Sequence, residues 1–175
     1  MHYLKKFRFC PVCGSEHFVE NDFKSKKCLD CGFTYYFNSA AAVVAIIINE
    51  KGELLVGRRA FEPAKGTLDL IGGYVDCGES AETAVKREIE EEVGLIVENP
   101  VYLFSKPNTY LYSGLVVHTT DLFFLVNVLS SDRIIANDDV SECWWADVND
   151  LSLDDFGLDS IREGLRDYLK TLINK

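Results

Sequence analysis

No apolar run in this chain is long enough to cross a bilayer. The longest, Ala40 to Ile48, has nine residues, against the ~20 that a helical span requires. The first residues also lack the apolar core and cleavage site of a secretory signal, so a cytoplasmic location is the expectation. Repeats and low-complexity tracts are missing too, which leaves one good core plus a small appendage as the organisation that 175 residues allow. Positive charge is short: 18 Lys/Arg face 28 Asp/Glu, a formal net of −10. The deficit is uneven, because residues 1–37 carry six Lys/Arg against four Asp/Glu and the remainder twelve against twenty-four. An acidic body argues against broad binding to nucleic-acid backbone. It leaves open a phosphate ligand bridged by a cation, since a bound cation reverses the local sign. Histidine is scarce at three residues; His118 has no triad-like partner beside it and reads as a strand residue.

Four of the six cysteines form two knuckles, Cys10-Pro-Val-Cys13-Gly and Cys28-Leu-Asp-Cys31-Gly. Two such pairs can bring four thiolates to one point, the tetrahedral sulfur set that suits a structural Zn²⁺. Two disulfides are the competing account, less suited to a cytoplasmic chain. Residues 1–37 therefore read as a zinc ribbon, with short strands expected at Lys5–Phe9, Phe18–Lys24 and Thr34–Phe37 around a metal that compensates for a small core. Cys77 and Cys143 have no such partner and are expected to be ordinary packed residues.

The most informative stretch is Gly73 to Leu95, GYVDCGESAETAVKREIEEEVGL. From Ser80 to Val93 it predicts a helix, with Ser80 as N-cap and Gly94 as a left-handed stop. Val85, Ile89 and Val93 make an apolar stripe, and Glu88, Glu91 and Glu92 cluster about a right angle away. Three carboxylates at i, i+3 and i+4 repel one another. A solvated acidic face is the bland reading. The alternative is a hard divalent cation, which takes one or two carboxylates and fills its other positions with water and phosphate oxygens. Glycines at 72, 73 and 78 suit a tight turn approaching such a ligand.

As a pattern the stretch is Gly73, five residues, Glu79, seven residues, Arg87-Glu88-Ile89, one residue, Glu91-Glu92, one residue, Gly94-Leu95. It resembles the signature of the Nudix hydrolases at every defined position. The resemblance implies an α+β fold, an α/β/α sandwich with a mixed sheet, over residues 38–175, preceded by the ribbon at 1–37. It also implies Mg²⁺ or Mn²⁺ and hydrolysis of a nucleoside diphosphate linked to a second group. Carried over by position, Glu88 and Glu92 are the principal metal ligands, Glu91 a further ligand or the base, and the Gly73 carbonyl another ligand. Glu79 becomes a supporting carboxylate and Arg87 the residue that orients the glutamates.

Around that stretch, Ala40–Ile48 predicts a strand covered on both faces, and Glu53–Arg59 a second one after a turn. Arg58 and Arg59 are candidates to reach a substrate phosphate, the alternative being two solvated side chains. Strands are expected at Ile96–Lys106 and Val116–Asn127, with a weaker signal at Tyr110–Tyr112. A loop follows at 130–139, then a strand at Cys143–Asp147. The closing helix at Asp159–Ile173 should turn Ile161, Leu165, Tyr168, Leu169 and Leu172 to the core.

A ribbon ahead of this domain is similar to the NADH pyrophosphatase branch, whose motif has the form SQPWPFPxS. Here Ser105-Lys106-Pro107-Asn108-Thr109-Tyr110-Leu111-Tyr112-Ser113 matches outright at Ser105, Pro107 and Ser113. The branch's later acidic residue corresponds to Asp139, with Glu142 as the neighbouring candidate for a distal base or ligand. Tyr74, Phe61 or Trp144 could stack on a base, though aromatics of a half-buried sheet more often pack. The implied partner is a small nucleotide substrate such as ADP-ribose or NADH, and a homodimer through the ribbon is compatible with the sequence. A rival reading is a non-hydrolytic ligand sensor on the same fold, with the ribbon contacting protein or nucleic acid.

Overall fold

The computed structural model describes residues 2–129, 133–137 and 139–173. The chain divides into two compact units, Met1–Ser39 and Ala40–Lys175. The first is a three-stranded antiparallel sheet of β1 (Phe18–Asp22), β2 (Ser25–Cys28) and β3 (Thr34–Tyr36) in that order. Its buried core consists of Cys10, Phe18 and Cys28, with Phe33 packed against it. The strand expected at Lys5–Phe9 is instead turn and irregular backbone. The middle strand is Ser25–Cys28, where Ser25, Cys28 and even Lys26 are buried. Lys26 is held by its ammonium, which donates to the Phe7 carbonyl (2.6 Å) and lies over the Phe18 ring. A lysine gave no apolar signal for a buried strand.

The second unit holds β4 (Ala40–Asn49), β5 (Leu54–Arg59), β6 (Leu68–Asp69), α1 (Ala81–Val93), β7 (Val101–Tyr112), β8 (Leu115–Val128), β9 (Val140–Ala146) and α2 (Asp159–Ile173). The mixed sheet runs β6-β5-β4-β8-β7, with β9 on β5. β4 pairs in parallel with β8 over its whole length, from Ala40↔Thr119 to Asn49↔Val128. Side chains alternate across a strand, so Val43, Ala45 and Ile47 meet α1 through Val85, Ile89 and Val93. Val44 and Ile46 face the other way, into a core with Phe123, Phe156 and the Ile161, Leu165 and Tyr168 side of α2. Each fully buried aliphatic side chain is worth about 1.5–3 kcal/mol, and Val85, Ile89 and Val93 are all at 0% exposure. That is what holds α1 on the sheet.

Four differences from the sequence reading have local causes. The strand after α1 begins at Val101, not Ile96, and runs unbroken to Tyr112 through Pro107. Because β7 is an edge strand, a missing N–H is tolerated there. β6 is a two-residue strand below the threshold of any sequence pattern. Leu172 is 45% exposed, since α2 extends past the sheet face that buries Ile161 and Leu165. Cys77 is exposed, whereas Cys143 packs as expected. The loop expected at 130–139 falls partly outside the described residues.

Gly164 shows how closely α2 approaches the sheet. A Cβ placed there would stand 2.4 Å from two carbons of the buried Phe123 ring. In an exposed helix Gly→Ala gains up to ~1 kcal/mol, but overpacking a filled core costs about 1–3 kcal/mol. We therefore expect Gly164→Ala to lower Tm, as read by thermal denaturation followed by circular dichroism; a raised Tm would show that the α2–sheet contact is loose.

Candidate functional site

The β4–β5 hairpin opens soon after its turn, pairing only at Ile48↔Leu54. The exposed edge of β4 needs other acceptors and donors, and residues 71–75 supply them. The Ala45 N–H donates to the Ile71 carbonyl (2.8 Å), Val43 N–H to the Gly73 carbonyl (2.8 Å), and Val75 N–H to the Ala41 carbonyl (3.0 Å). Gly72 and Gly73 sit where this segment is pressed against its neighbours. A Cβ on Gly72 would lie 2.1 Å from the Val43 oxygen, and one on Gly73 would lie 2.6 Å from the Glu88 carboxyl.

The sequence then turns into α1 as its caps dictate. Ser80 Oγ accepts from the Thr83 N–H (3.2 Å), and Gly94 closes the helix at φ 73°. Along α1, Arg87 is the organiser. Its Nε and Nη2 grip both oxygens of Glu79 (3.1 and 2.9 Å), Nη2 also donates to the Tyr74 carbonyl (3.0 Å), and Nη1 donates to Glu88 (2.8 Å) and Glu91 (3.0 Å). This forked, bidentate geometry belongs to a guanidinium and would be lost with lysine. The bond from Arg87, helped by the Asp76 N–H, holds the Glu79 carboxyl below its usual range. The same carboxylates push the Arg87 guanidinium further into its charged form.

Glu92 departs from the acidic-face reading. It is 5% exposed and lies on the buried side of the helix, where one oxygen accepts from the Gly72 N–H (3.0 Å). Burial raises its pKa well above the ordinary value, against that hydrogen bond, with the charges of Glu88, Asp69 and Asp139 adding to the rise. Glu88 is raised as well, chiefly by burial and secondarily by Glu91 and Asp139, against Arg87. Glu91 remains half exposed. Two carboxylates whose charged form burial disfavours, beside a carbonyl that keeps a second lone pair, are a demanding arrangement without a cation. Among the described residues the glutamates do not bring three ligand atoms within 4.8 Å. A Mg²⁺ site does not require that, because one or two carboxylates suffice. The all-oxygen donor set and the cramped turn at Gly73 fit such an ion.

Beside this cluster a cavity of about 140 Å³ opens between residues 72–74 and the start of α2. Tyr74, Arg59 and Asp139 line it, as expected of site residues, and so do Asp69, Asn108 and Asp121, which the sequence reading did not single out. Asp69 and Asp121 are signalled only as polar side chains inside strands of otherwise apolar pattern, while Asn108 also marks a departure from the SQPWPFPxS form. Arg59 is ion-paired with Asp69 and donates to the Pro63 carbonyl (2.6 Å). Burial raises the Asp69 pKa against the pull of Arg59. Asp121 accepts from the Thr119 hydroxyl (2.5 Å) and the Ser160 hydroxyl (2.6 Å). The Tyr74 and Tyr110 hydroxyls share a hydrogen bond.

Arg58 and Glu142 are not brought to the glutamates. They pair with each other, and Arg58 also donates to the Gly66 carbonyl (2.8 Å) and lies over the Trp144 ring. Nδ1 of His118 stands 3.3 Å from the Thr109 hydroxyl across the β7–β8 ladder, a strand contact. A larger cleft of about 570 Å³ lies at the opposite, C-terminal ends of β4 and β8, between Asn49 and Leu129. It contains none of the signature residues.

In the ribbon, Sγ of Cys10 lies 3.7 Å from that of Cys31, and Cys13 3.6 Å from Cys28. All four sulfurs fall within 4.8 Å of one another. Tetrahedral ligands at about 2.3 Å from a shared Zn²⁺ stand about 3.8 Å apart, so the set fits that ion. Left-handed Gly14 and Gly32 close the two knuckles, donating to the Cys10 (2.9 Å) and Cys28 (3.0 Å) carbonyls. The Cys31 N–H, with help from Asp30 and against burial, lowers the Cys28 thiol to about 6.

A family model described as NUDIX domain matches residues 38–168. The chain is 34% identical over 140 residues to an ADP-ribose pyrophosphatase of Methanocaldococcus jannaschii, covering 79% of this chain and 78% of that protein. It is 28% identical over 145 residues to the NAD-capped RNA hydrolase NudC of Haemophilus influenzae, covering 82% of this chain but 53% of that protein. The chain thus spans about half the length of those hydrolases. Among solved structures, a NUDIX hydrolase from Nitrosomonas europaea superposes with a TM-score of 0.73 at 20% identity, over 93% of this chain and 90% of that one. No helix among the described residues is long and apolar enough to cross a membrane.

Proposed function

The chain belongs to the NUDIX family, and from that premise we propose that it hydrolyses the pyrophosphate bond of a nucleoside diphosphate linked to a second group, with ADP-ribose as the type substrate. The observation that carries this reading is the Arg87 constellation: one guanidinium gathers Glu79, Glu88 and Glu91 beside the Gly73 turn while Glu92 is buried against Gly72. A solvated acidic face would not bury a carboxylate at 5% exposure among like charges. The ADP-ribose choice is supported by the relative that matches over four-fifths of both chains. The longer NAD-capped RNA hydrolases match over about half their length.

Glu88, Glu92 and the Gly73 carbonyl would hold Mg²⁺ or Mn²⁺, with Glu91 as a further ligand. A cation bound there would shield the phosphates and lower the pKa of an attacking water. Arg87 fixes the carboxylates so that no reorganisation is needed at the moment of reaction, and Glu79 anchors Arg87 from behind. Glu91, half exposed and paired with Arg87, and Asp139, on the cavity wall, would be the carboxylates that take the water's proton. The attack places a new P–O bond on one phosphorus and expels the other phosphate, giving AMP and ribose 5-phosphate from ADP-ribose. In the ribbon, Cys10, Cys13, Cys28 and Cys31 would hold a Zn²⁺ with no open ligand position, a site that folds the segment and does no chemistry.

The test is a panel of ADP-ribose, NADH, FAD and nucleoside triphosphates with Mg²⁺ in ¹⁸O-water, products identified by mass spectrometry. We expect AMP and ribose 5-phosphate from ADP-ribose, with the label in one of them. No turnover of any compound would overturn the hydrolase reading, and binding without turnover would favour a ligand sensor.

A further inference from the structure

Asn108 is the polar side chain whose position the proposed chemistry leaves unexplained. It is 5% exposed and lines the cavity beside the glutamates. Its Oδ1 accepts from the Thr109 N–H (2.9 Å), and its amide nitrogen has no hydrogen-bond partner among the described residues. That nitrogen keeps solvent access, so a ligand group that accepts from it would gain the net of about 0.5–1.5 kcal/mol of an ordinary hydrogen bond.

What kind of group it accepts follows from the walls. The charged residues lining the cavity among those described are Asp69, Asp121, Asp139 and Arg59, and Arg59 is already committed to Asp69. Asp139 belongs with the proposed cation at Gly73, which would reverse the sign there; Asp69 and Asp121 against one paired cation leave the rest of the cavity unfavourable to a phosphate. Val44, Leu70, Leu158 and Ile161 contribute apolar wall, which suits a flat uncharged ring better than a sugar bearing hydroxyls on every side. On β7 the alternation puts Asn108 on the same face as Tyr110, whose hydroxyl meets that of Tyr74.

We propose that Asn108 is a specificity-determining residue, donating its amide N–H₂ to an acceptor on the nucleobase of the substrate seated in this cavity. The ligand class rests on the nucleotide-hydrolase reading above. The position corresponds to the tryptophan of the SQPWPFPxS form that Ser105–Ser113 resembles, so the chain replaces an aromatic platform with a hydrogen-bond donor.

The experiment compares wild type, Asn108→Asp and Asn108→Leu. Aspartate keeps an oxygen for the Thr109 N–H while replacing the donor with a charged oxygen, so a purely structural asparagine would be rescued by it. Metal-free equilibrium binding of AMP and of ribose 5-phosphate is measured by calorimetry, and ADP-ribose hydrolysis gives kcat and KM. Both variants should bind AMP roughly 3- to 10-fold more weakly, with ribose 5-phosphate affinity unchanged. KM for ADP-ribose should rise by a similar factor with kcat within about twofold, the signature of lost uniform binding. The ribose 5-phosphate arm carries the same phosphate charge and so controls for the added carboxylate. Wild-type AMP affinity in both folded variants, a loss falling on ribose 5-phosphate instead, or no AMP binding by wild type would each overturn the proposal. If Asn108→Leu fails to fold, Asn108→Asp decides alone. Asn108-dependent AMP binding in a protein that hydrolyses nothing would sink the hydrolase reading and leave this one standing.

Discussion

Glu92→Gln is expected to abolish hydrolysis and at the same time to stabilise the metal-free protein at neutral pH. The amide keeps an oxygen for the Gly72 N–H, so the turn survives, but it removes the negative charge proposed to hold the cation. Metal-ion charge stabilisation is worth several kcal/mol, and about 1.4 kcal/mol is tenfold; we expect kcat/KM to fall by at least roughly 100-fold. The stability gain follows from the sign of the pKa shift. Burial raises the Glu92 carboxyl well above its ordinary 4.5, so above that pH the native state holds a proton that the unfolded chain has released. Stability contributed by this group is therefore present at acid pH and is lost as pH rises through the folded pKa. Glutamine cannot ionise, so this part of the slope should vanish. Thermal melts of both proteins from pH 4.5 to 8, with and without Mg²⁺, check it. Mg²⁺ should raise the wild-type Tm, most at the higher pH, and leave the variant unmoved. A variant that melts lower than wild type at pH 8 without metal, or that responds equally to Mg²⁺, would show that Glu92 is not a metal-gripping carboxylate.

Removing zinc should unfold residues 1–39 while the rest stays folded. The ribbon's clustered core is Phe18 with two of the cysteines, plus Phe33 at its edge, and Leu4 is also fully buried. Two such side chains contribute about 6 kcal/mol at most, whereas a structural Zn²⁺ site supplies about 10–16 kcal/mol of apparent binding energy at pH 7. Cys28 is a sensitive position: it is fully buried, and the Cys31 N–H lowers its thiol to about 6, which favours the metal-binding thiolate. Cys28→Ser should take bound zinc from one equivalent to none by elemental analysis, and trypsin should then cut at Lys24, Lys26 or Lys27. The melting transition of the body, from Ala40 onward, should persist, because it has its own two hydrophobic clusters. Equal zinc content in the variant and the parent, with the same resistance to trypsin, would exclude the metal role.

Much of the fold was legible because its signals are local. Nine apolar residues from Ala40 predicted a doubly covered strand, and both faces are packed. Ser80 and Gly94 bounded α1 where their capping chemistry put it. The misreadings came where tertiary context overrode pattern. Pro107 could stay in a strand because β7 is at an edge, and Lys26 could be buried because Phe7 and Phe18 receive its ammonium.

At the site the division is the same. Residue type and spacing alone determined that a glycine turn with Glu79 precedes a helix bearing Arg87, Glu88, Glu91 and Glu92 at fixed intervals, and that two cysteine pairs can meet. Those are consequences of helical periodicity and knuckle spacing, which operate within a few residues. Only the tertiary structure decided that Glu92 is buried while Glu91 is exposed, that Arg58 is spent on Glu142, and that Asn108, Asp121 and Asp69 share a cavity with Arg59 and Asp139. Those facts depend on which strands lie side by side and on where burial strips water from a charge, and both are set by contacts between residues far apart in the chain.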